Sequence, residues 1–216
     1  MQAPFTDRSH AGRALAGRLE HLRGTPGALV LGLPRGGIPV AREVAEALGM
    51  QLDALVVRKL GVPWHPELAM GAVASGGAEY LDRELIRSLG ISDEQVEKVI
   101  ARERGELDRR ERLYRAGAEP PALSGRTVIL VDDGLATGST MRAAVQALRR
   151  HGPAHLVVAV PVASMQAAAA IRELADEFVA VRIPEHFNAV GQWYGDFDQT
   201  SDKLVRRLLA QRPGGK

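Results

Sequence analysis

The segment that most constrains the fold runs from Val128 to Thr140 and reads VILVDDGLATGST. Its opening apolar residues do not alternate with polar ones, which predicts a strand buried on both faces, as in a parallel sheet. Met141, Val145 and Leu148 follow at helical spacing. The polar part is therefore expected to lie between a strand and a helix, where open α/β sheets bind their ligands.

This polar part has the chemistry of a ribose 5-phosphate site. Asp132 and Asp133, at what we expect to be an exposed strand end, would accept hydrogen bonds from two vicinal sugar hydroxyls. Backbone N–H groups and hydroxyls at the helix start can converge on a phosphate dianion. The predicted phosphate ligands are Ala136, Thr137, Gly138, Ser139 and Thr140. A nucleoside triphosphate loop needs a lysine after its second glycine and is excluded, and a plain turn with a helix cap is the alternative.

A second anion-binding element is predicted at Leu33 to Ile38, again between a buried strand and a helix. Gly36 and Gly37 allow the backbone to approach an anion closely, and Arg35 adds a fixed positive charge. A pair of glycines after a strand is also common in ordinary turns. The element gains weight from its position in the same chain as the acid pair.

The order of the predicted elements indicates an α/β fold with an open, mainly five-stranded parallel sheet and helices on both faces. Strands are predicted at 28–33, 52–57, 127–131, 155–160 and 178–183, and helices at 9–22, 38–48, 139–150 and 164–175. We expect a single domain over 1–216, with a core at about 28–183, a small hood at about 184–216 and a helical insertion at about 92–117.

The predicted insertion begins with Ser92 at capping-box spacing and continues as a charged helix to Ala116. Its arginines alternate with acids, which favours a solvated face with ion pairs between successive turns. A contact between subunits or a patch for an anionic substrate is the alternative.

Composition excludes several classes of protein. The chain has no cysteine, so disulfides, thiolate metal sites and cysteine nucleophiles are excluded. We expect a cytoplasmic protein without a membrane segment, because there is no long apolar run or signal peptide. A net charge of +2, from 28 basic and 26 acidic residues, does not argue for binding to nucleic acid.

At Val128 to Thr140 the chain resembles the type I phosphoribosyltransferases, whose phosphoribosyl pyrophosphate signature this segment matches. The resemblance implies transfer of the 5-phosphoribosyl group from phosphoribosyl pyrophosphate to a nitrogen acceptor, most simply a nucleobase, in nucleotide salvage or related metabolism. It implies Mg²⁺ held mainly by the donor, and makes Asp132 and Asp133 catalytic. It also makes Arg35, Gly36 and Gly37 the pyrophosphate loop, with the bond from Pro34 to Arg35 as the candidate for a cis peptide.

The resemblance assigns two further regions. Arg58 and Lys59, after the second predicted strand, would contact the departing pyrophosphate from a flexible catalytic loop, although ordinary surface bases are the alternative. In the tail, Phe187, Trp193 and Tyr194 would stack on the base, or else pack the hood. Asp196 occupies a position similar to that of an acid that helps to hold magnesium in the hypoxanthine-guanine enzymes.

Two other functions stay open at this point. One is a regulatory protein that senses phosphoribosyl pyrophosphate without turnover and acts on nucleic acid, but no reader domain is visible in the sequence. The other is a bare interaction module, which leaves the acid pair unexplained. A homodimer is compatible with the sequence, and the choice of acceptor does not follow from it.

Overall fold

The structure is a computed structural model that describes residues 5–115 and 118–210. Residues 1–4 lie outside the described residues. The predicted end of the insertion, at 116–117, and the predicted end of the hood, at 211–216, also lie outside them. The strands, in chain order, are β1 (Leu29–Gly32), β2 (Gln51–Ala54), β3 (Val57–Val62), β4 (His65–Ala74), β5 (Ala78–Leu81), β6 (Thr127–Val131), β7 (His155–Val162) and β8 (Glu177–Arg182). The α-helices are α1 (Arg8–Arg18), α2 (Gly37–Leu48), α3 (Arg83–Ser88), α4 (Asp93–Arg115), α5 (Ser139–Arg149), α6 (Met165–Arg172) and α7 (Asp202–Ala210).

The main sheet has five parallel strands in the order β2, β1, β6, β7, β8, which confirms the predicted α/β fold. Helices α1 and α2 cover one face, and α5 and α6 cover the other. Neighbouring residues of β6 face opposite sides: Ile129 joins the cluster that holds Val44 of α2, and Leu130 joins the cluster that holds Met141 of α5. Burial on both faces explains why this strand is apolar throughout.

A second sheet was not predicted. Strands β3, β4 and β5 pair antiparallel where the sequence indicated the end of one strand and then a flexible loop. Gly61 permits close strand packing: a Cβ on it would lie 2.5 Å from the carbonyl oxygen of Pro66. The pairing register also shifts on either side of Gly61, so the alternation that marks a strand is interrupted there.

Helix α4 confirms the predicted helix and its capping box, since Ser92 and Gln95 exchange hydrogen bonds at 2.9 and 3.3 Å. It is more than a solvated charged element. Its apolar residues, among them Val96 and Leu107, are buried in a cluster with Leu60 of β3 and Val205 of α7. The insertion therefore packs on the second sheet through one face, which also holds the ion pair of Glu103 with Arg58, and carries most of its other ion pairs on the rest.

The chain after β8 first crosses the acid-pair end of the main sheet and then forms α7. A short 3-10 turn at Val190–Trp193 lies in the crossing part. Helix α7 packs beside α2, α4 and β2 at the sheet edge. Within the described ranges, no helix combines the length and apolar character needed to cross a membrane.

Candidate active site

The two predicted anion-binding loops lie side by side because β1 and β6 are neighbouring strands. The N–H of Leu33, just after β1, donates to the carbonyl of Val131 at 2.9 Å. A Cβ on Gly37 would lie 2.8 Å from that same carbonyl oxygen, and a Cβ on Gly36 would overlap the Asp133 carboxylate. Only glycine permits this contact between the loop and the acid pair. The peptide bond between Pro34 and Arg35 is cis, as the resemblance implied.

The acid pair is half-buried, which corrects the expectation of an exposed strand end. Asp132 accepts a hydrogen bond from the N–H of Asp133 at 2.8 Å, and Asp133 accepts one from Nε of Arg8 at 2.8 Å. Burial raises the pKa of Asp132 well above its usual value, and the neighbouring charge of Asp133 raises it further. Burial also raises the pKa of Asp133, while the bond from Arg8 opposes that rise.

The predicted phosphate ligands form the wall of a cavity of about 190 Å³, together with Asp132 and Val190. Ala136, Thr137, Ser139 and Thr140 are at least partly exposed, and Gly138 has a φ of 72° at the N-cap of α5. Left-handed backbone at this point favours glycine and turns the loop into the helix. The structure thus brings Asp132 and all five predicted phosphate ligands to one crevice.

Arg58 and Lys59 are not brought together. They are consecutive residues of β3, so their side chains leave opposite faces of the second sheet. Arg58 donates two hydrogen bonds to Glu103 of α4, at 2.9 and 2.6 Å, and the Glu103 side chain is only 9% exposed. Lys59 shares its face with Val57, which packs against the core that α5 helps to build. The expectation that both residues belong to a flexible loop after the second predicted strand is therefore corrected, because they lie within β3.

The predicted base-stacking residues differ in exposure. Tyr194 is buried, packs against Phe5 and Phe197 at ring distances of 5.5 and 4.9 Å, and donates its hydroxyl to the carbonyl of Asp133 at 2.5 Å. Its burial raises its pKa. Phe187 and Trp193 are half-buried. Tyr194 thus binds the backbone of the acid pair, whereas Phe187 and Trp193 keep part of their surface accessible.

Comparison with known proteins decides the family. The model of the phosphoribosyl transferase domain matches residues 8–196. The chain belongs to the phosphoribosyl transferase family. A relative of Mycobacterium tuberculosis H37Rv, provisionally named a phosphoribosyl transferase, is 46% identical over 205 residues, which is 95% of this chain and 46% of that protein. The chain therefore spans about half the length of the curated relatives it matches.

Solved structures agree with the fold. The protein TT1426 from Thermus thermophilus has a TM-score of 0.86 and 45% identity, and the match covers 95% of this chain and 97% of that one. The AQ2163 protein from Aquifex aeolicus has a TM-score of 0.51 at 13% identity, over 85% of this chain and 78% of that one, and shares the fold alone. The resemblance to phosphoribosyltransferase enzymes is confirmed at the level of the family.

Within this phosphoribosyl transferase domain, two arginines that were not among the predicted site residues lie close to them. Arg8, the first residue of α1, contacts the acid pair, and no motif marks it. Arg110 of α4 lines a small cavity with Pro34 of the predicted pyrophosphate loop and Thr140 of the predicted phosphate loop. Burial and a hydrogen bond to Asp202 raise the pKa of Tyr114 to about 12, and the charges of Arg110 and Arg35 oppose that rise. The charged helix thus brings a cation to the predicted pyrophosphate loop.

Proposed function

We propose that this chain transfers the 5-phosphoribosyl group of phosphoribosyl pyrophosphate to a nitrogen acceptor, and that the acceptor is a nucleobase. One observation carries the proposal: Gly36 and Gly37 pack directly on Asp132 and Asp133, beside the cavity walled by the predicted phosphate ligands. Phosphoribosyl pyrophosphate carries its sugar between a pyrophosphate and a 5-phosphate. Binding it needs a pyrophosphate loop, an acid pair for the sugar and a phosphate loop next to one another. We expect the protein to act in the cytoplasm, in nucleotide salvage or related metabolism.

The acid pair accounts for the chemistry at the sugar. The bond between the anomeric carbon and the pyrophosphate oxygen breaks, and its electron pair leaves with the pyrophosphate. A bond forms between that carbon and the acceptor nitrogen, which loses a proton. Positive charge grows on the ribose meanwhile, so Asp132 and Asp133, which accept hydrogen bonds from the ribose hydroxyls, stabilise the transition state more than the ground state.

Three cations are proposed for the leaving pyrophosphate: Arg35 from the loop after β1, Lys59 from β3 and Arg110 from α4. Arg35 and Arg110 lie within electrostatic range of the same Tyr114 phenol. Lys59 is part-exposed, 3.9 Å from Glu67. Arg58 can take part in this way only if its guanidinium leaves Glu103. The N–H groups and hydroxyls between Ala136 and Thr140 are proposed to bind the 5-phosphate.

Mg²⁺ is proposed to be held mainly by the oxygens of the donor. Over the described ranges, no group of three His, Cys, Asp or Glu residues could hold a metal ion, which suits an ion that arrives with its ligand. When bound, the ion would neutralise charge on the departing pyrophosphate. Asp196, the predicted protein ligand, is exposed and accepts a hydrogen bond from the N–H of Asp198 at 3.0 Å.

The base is proposed to rest against Phe187 and Trp193, which keep accessible surface in the hood. Tyr194 is proposed to act indirectly, because its ring is packed and its hydroxyl is committed to the Asp133 carbonyl. A sensor of phosphoribosyl pyrophosphate is the second candidate. The same crevice would give a sensor its affinity for the donor, so only turnover separates the two functions.

The decisive experiment is release of pyrophosphate from phosphoribosyl pyrophosphate and Mg²⁺, measured with a panel of purines, pyrimidines and amines. An enzyme releases pyrophosphate with at least one acceptor, and the Asp132→Asn, Asp133→Asn double variant is slower by about 10²–10³, the usual loss when an electrostatic stabiliser is removed. Donor binding without release under all conditions would favour the sensor. A protein that binds no donor would contradict both functions.

A further inference from the structure

Arg8 joins three parts of the molecule. Its Nε donates to Oδ2 of Asp133 at 2.8 Å, and its Nη1 donates to the carbonyl of Asp198 at 2.8 Å. Its guanidinium lies over the ring of Phe197, 4.0 Å from the ring centre. The side chain is 12% exposed. The first residue of α1 is thereby fixed to the acid pair on one side and to the hood on the other.

Few charged or titratable groups face the Asp133 carboxylate among the residues that the structure describes. Asp132 comes from the same loop, Arg8 comes from α1, and the Tyr194 phenol comes from the hood. The pyrophosphate loop presents only the backbone of Gly36. Arg8 is therefore the one positive charge in this set. Without it, two half-buried carboxylates would repel each other with no compensation.

We propose that Arg8 is a positioning residue that favours the ionised form of Asp133 and holds it in one orientation, so that the carboxylate is ready to accept a hydrogen bond from a ribose hydroxyl. This inference rests on the proposed function. Arg8 occupies Oδ2 of Asp133, which leaves the other oxygen for the sugar. Because the same guanidinium binds the hood through Asp198 and Phe197, the position of the carboxylate is tied to the position of the acceptor end of the site.

The test compares Arg8→Gln and Arg8→Lys with Arg13→Gln. Arg13 lies on the same helix, 59% exposed and 3.5 Å from Glu43, so it controls for loss of a positive charge on α1. The pKa of Asp133 is measured by carboxyl NMR titration in the Asp132→Asn background, where one member of the pair titrates. In Arg8→Gln we expect this pKa to rise by roughly one to three units, the usual effect of a nearby opposite charge.

Donor binding by calorimetry gives the second measurement. Binding that needs ionised Asp133 is lost as the pH falls, and in Arg8→Gln this loss begins at higher pH. Arg13→Gln follows the parent. Arg8→Lys keeps a charge but not the planar fork, so it restores the pH profile while donor affinity stays below that of the parent. In an Asp133→Asn background, Arg8→Gln leaves the pH profile unchanged, because the two residues act as one unit.

An unchanged pKa of Asp133 in Arg8→Gln would overturn the inference, and so would a pH profile that shifts equally in Arg13→Gln. If Arg8→Gln fails to fold, donor affinity of Arg8→Lys is measured at the pH where this variant binds most tightly. An affinity equal to that of the parent would contradict the positioning role of Arg8. The titration needs no donor. A chain that binds no donor but shows the raised pKa would therefore disprove the proposed function while leaving the contact between Arg8 and Asp133 established.

Discussion

At the residue scale, Asp132 faces two opposed demands. Contact with a sugar requires a sheltered carboxylate, and shelter raises its pKa. The folded protein then binds this proton more tightly than the unfolded chain does. The associated stability is complete below about pH 4, the pKa of an unfolded aspartate, and is lost as the pH rises through the raised pKa. The ionised form of Asp132 therefore lowers the stability of the fold relative to the protonated form.

Asp132→Asn should separate the stability of the fold from the charge needed at the sugar. An asparagine carbonyl still accepts the N–H of Asp133 but carries no charge, so we expect the melting temperature at pH 7 to rise by a few degrees while the transfer rate falls about 10²-fold. Calorimetric melting at pH 4 and pH 7 checks the first part. The gain should be smaller at pH 4, and a variant less stable than the parent at pH 7 would contradict the explanation.

Gly36 should be equally sensitive, for a steric reason. In Gly36→Ala the new methyl group would overlap the Asp133 carboxylate and approach Nε of Arg8 to 3.3 Å. We expect donor affinity, measured by calorimetry, to fall at least about tenfold, or 1.4 kcal/mol. Gly105→Ala is the control, because a Cβ there meets nothing within 4 Å in α4. It should stabilise the fold by about 0.5–1 kcal/mol and leave donor binding unchanged.

At the scale of elements, an inward-facing ion pair helps to hold α4 on the second sheet. The Glu103 side chain is 9% exposed and binds Arg58 of β3, which is 30% exposed. Glu103→Gln should lower the free energy of unfolding by roughly 1–3 kcal/mol, less than for a fully buried pair because water reaches Arg58. Glu94→Gln, which affects an exposed pair with Lys98, should change stability little. Urea unfolding of both variants measures the difference. Equal effects would argue against a role of the Glu103–Arg58 ion pair in holding α4 on the second sheet.

The same helix supplies a matched pair of arginines for testing the proposed pyrophosphate site. Arg109 and Arg110 both bind Glu106, but Arg110 lines the cavity beside Pro34 whereas Arg109 is 59% exposed on the surface. We expect Arg110→Gln to weaken pyrophosphate binding about tenfold, the worth of one charge-assisted hydrogen bond, and Arg109→Gln to leave it unchanged. Calorimetry with pyrophosphate and Mg²⁺ tests this. Equal loss in both variants would point to the shared Glu106 instead.

At the scale of the whole molecule, the site depends on contacts between distant parts of the chain. The N–H of Phe5 donates to the carbonyl of Trp193 at 3.0 Å, Gly195 donates to Phe5 at 2.7 Å, and Arg8 reaches Asp198 across 190 positions. These contacts place α1 and the hood against the loop after β6. The acid pair is consequently shaped by both ends of the domain, although its two residues are adjacent in sequence.

Much of this architecture could be predicted because its information is local. Strand β6 begins and ends at the predicted residues, and α2, α5 and the capping box of α4 follow from periodicity and caps. The second sheet could not be predicted, because Gly61 and Pro66 lie at a register shift that removes the strand pattern. For the same reason Arg58 was assigned to a loop, whereas it is a strand residue bound to Glu103.

The sequence by itself determined the main sheet, the acid pair and the small-residue loop between the acid pair and α5, since each is written in consecutive residues whose conformation is set by neighbours. The cis bond after Pro34 followed only from the family resemblance. Only the tertiary structure decided which side chains surround these loops. Arg8, Arg110 and Tyr194 reach them from α1, α4 and the hood. Side-chain partners that are far apart in sequence leave no periodic or spacing signal, because their proximity arises only when the whole chain packs.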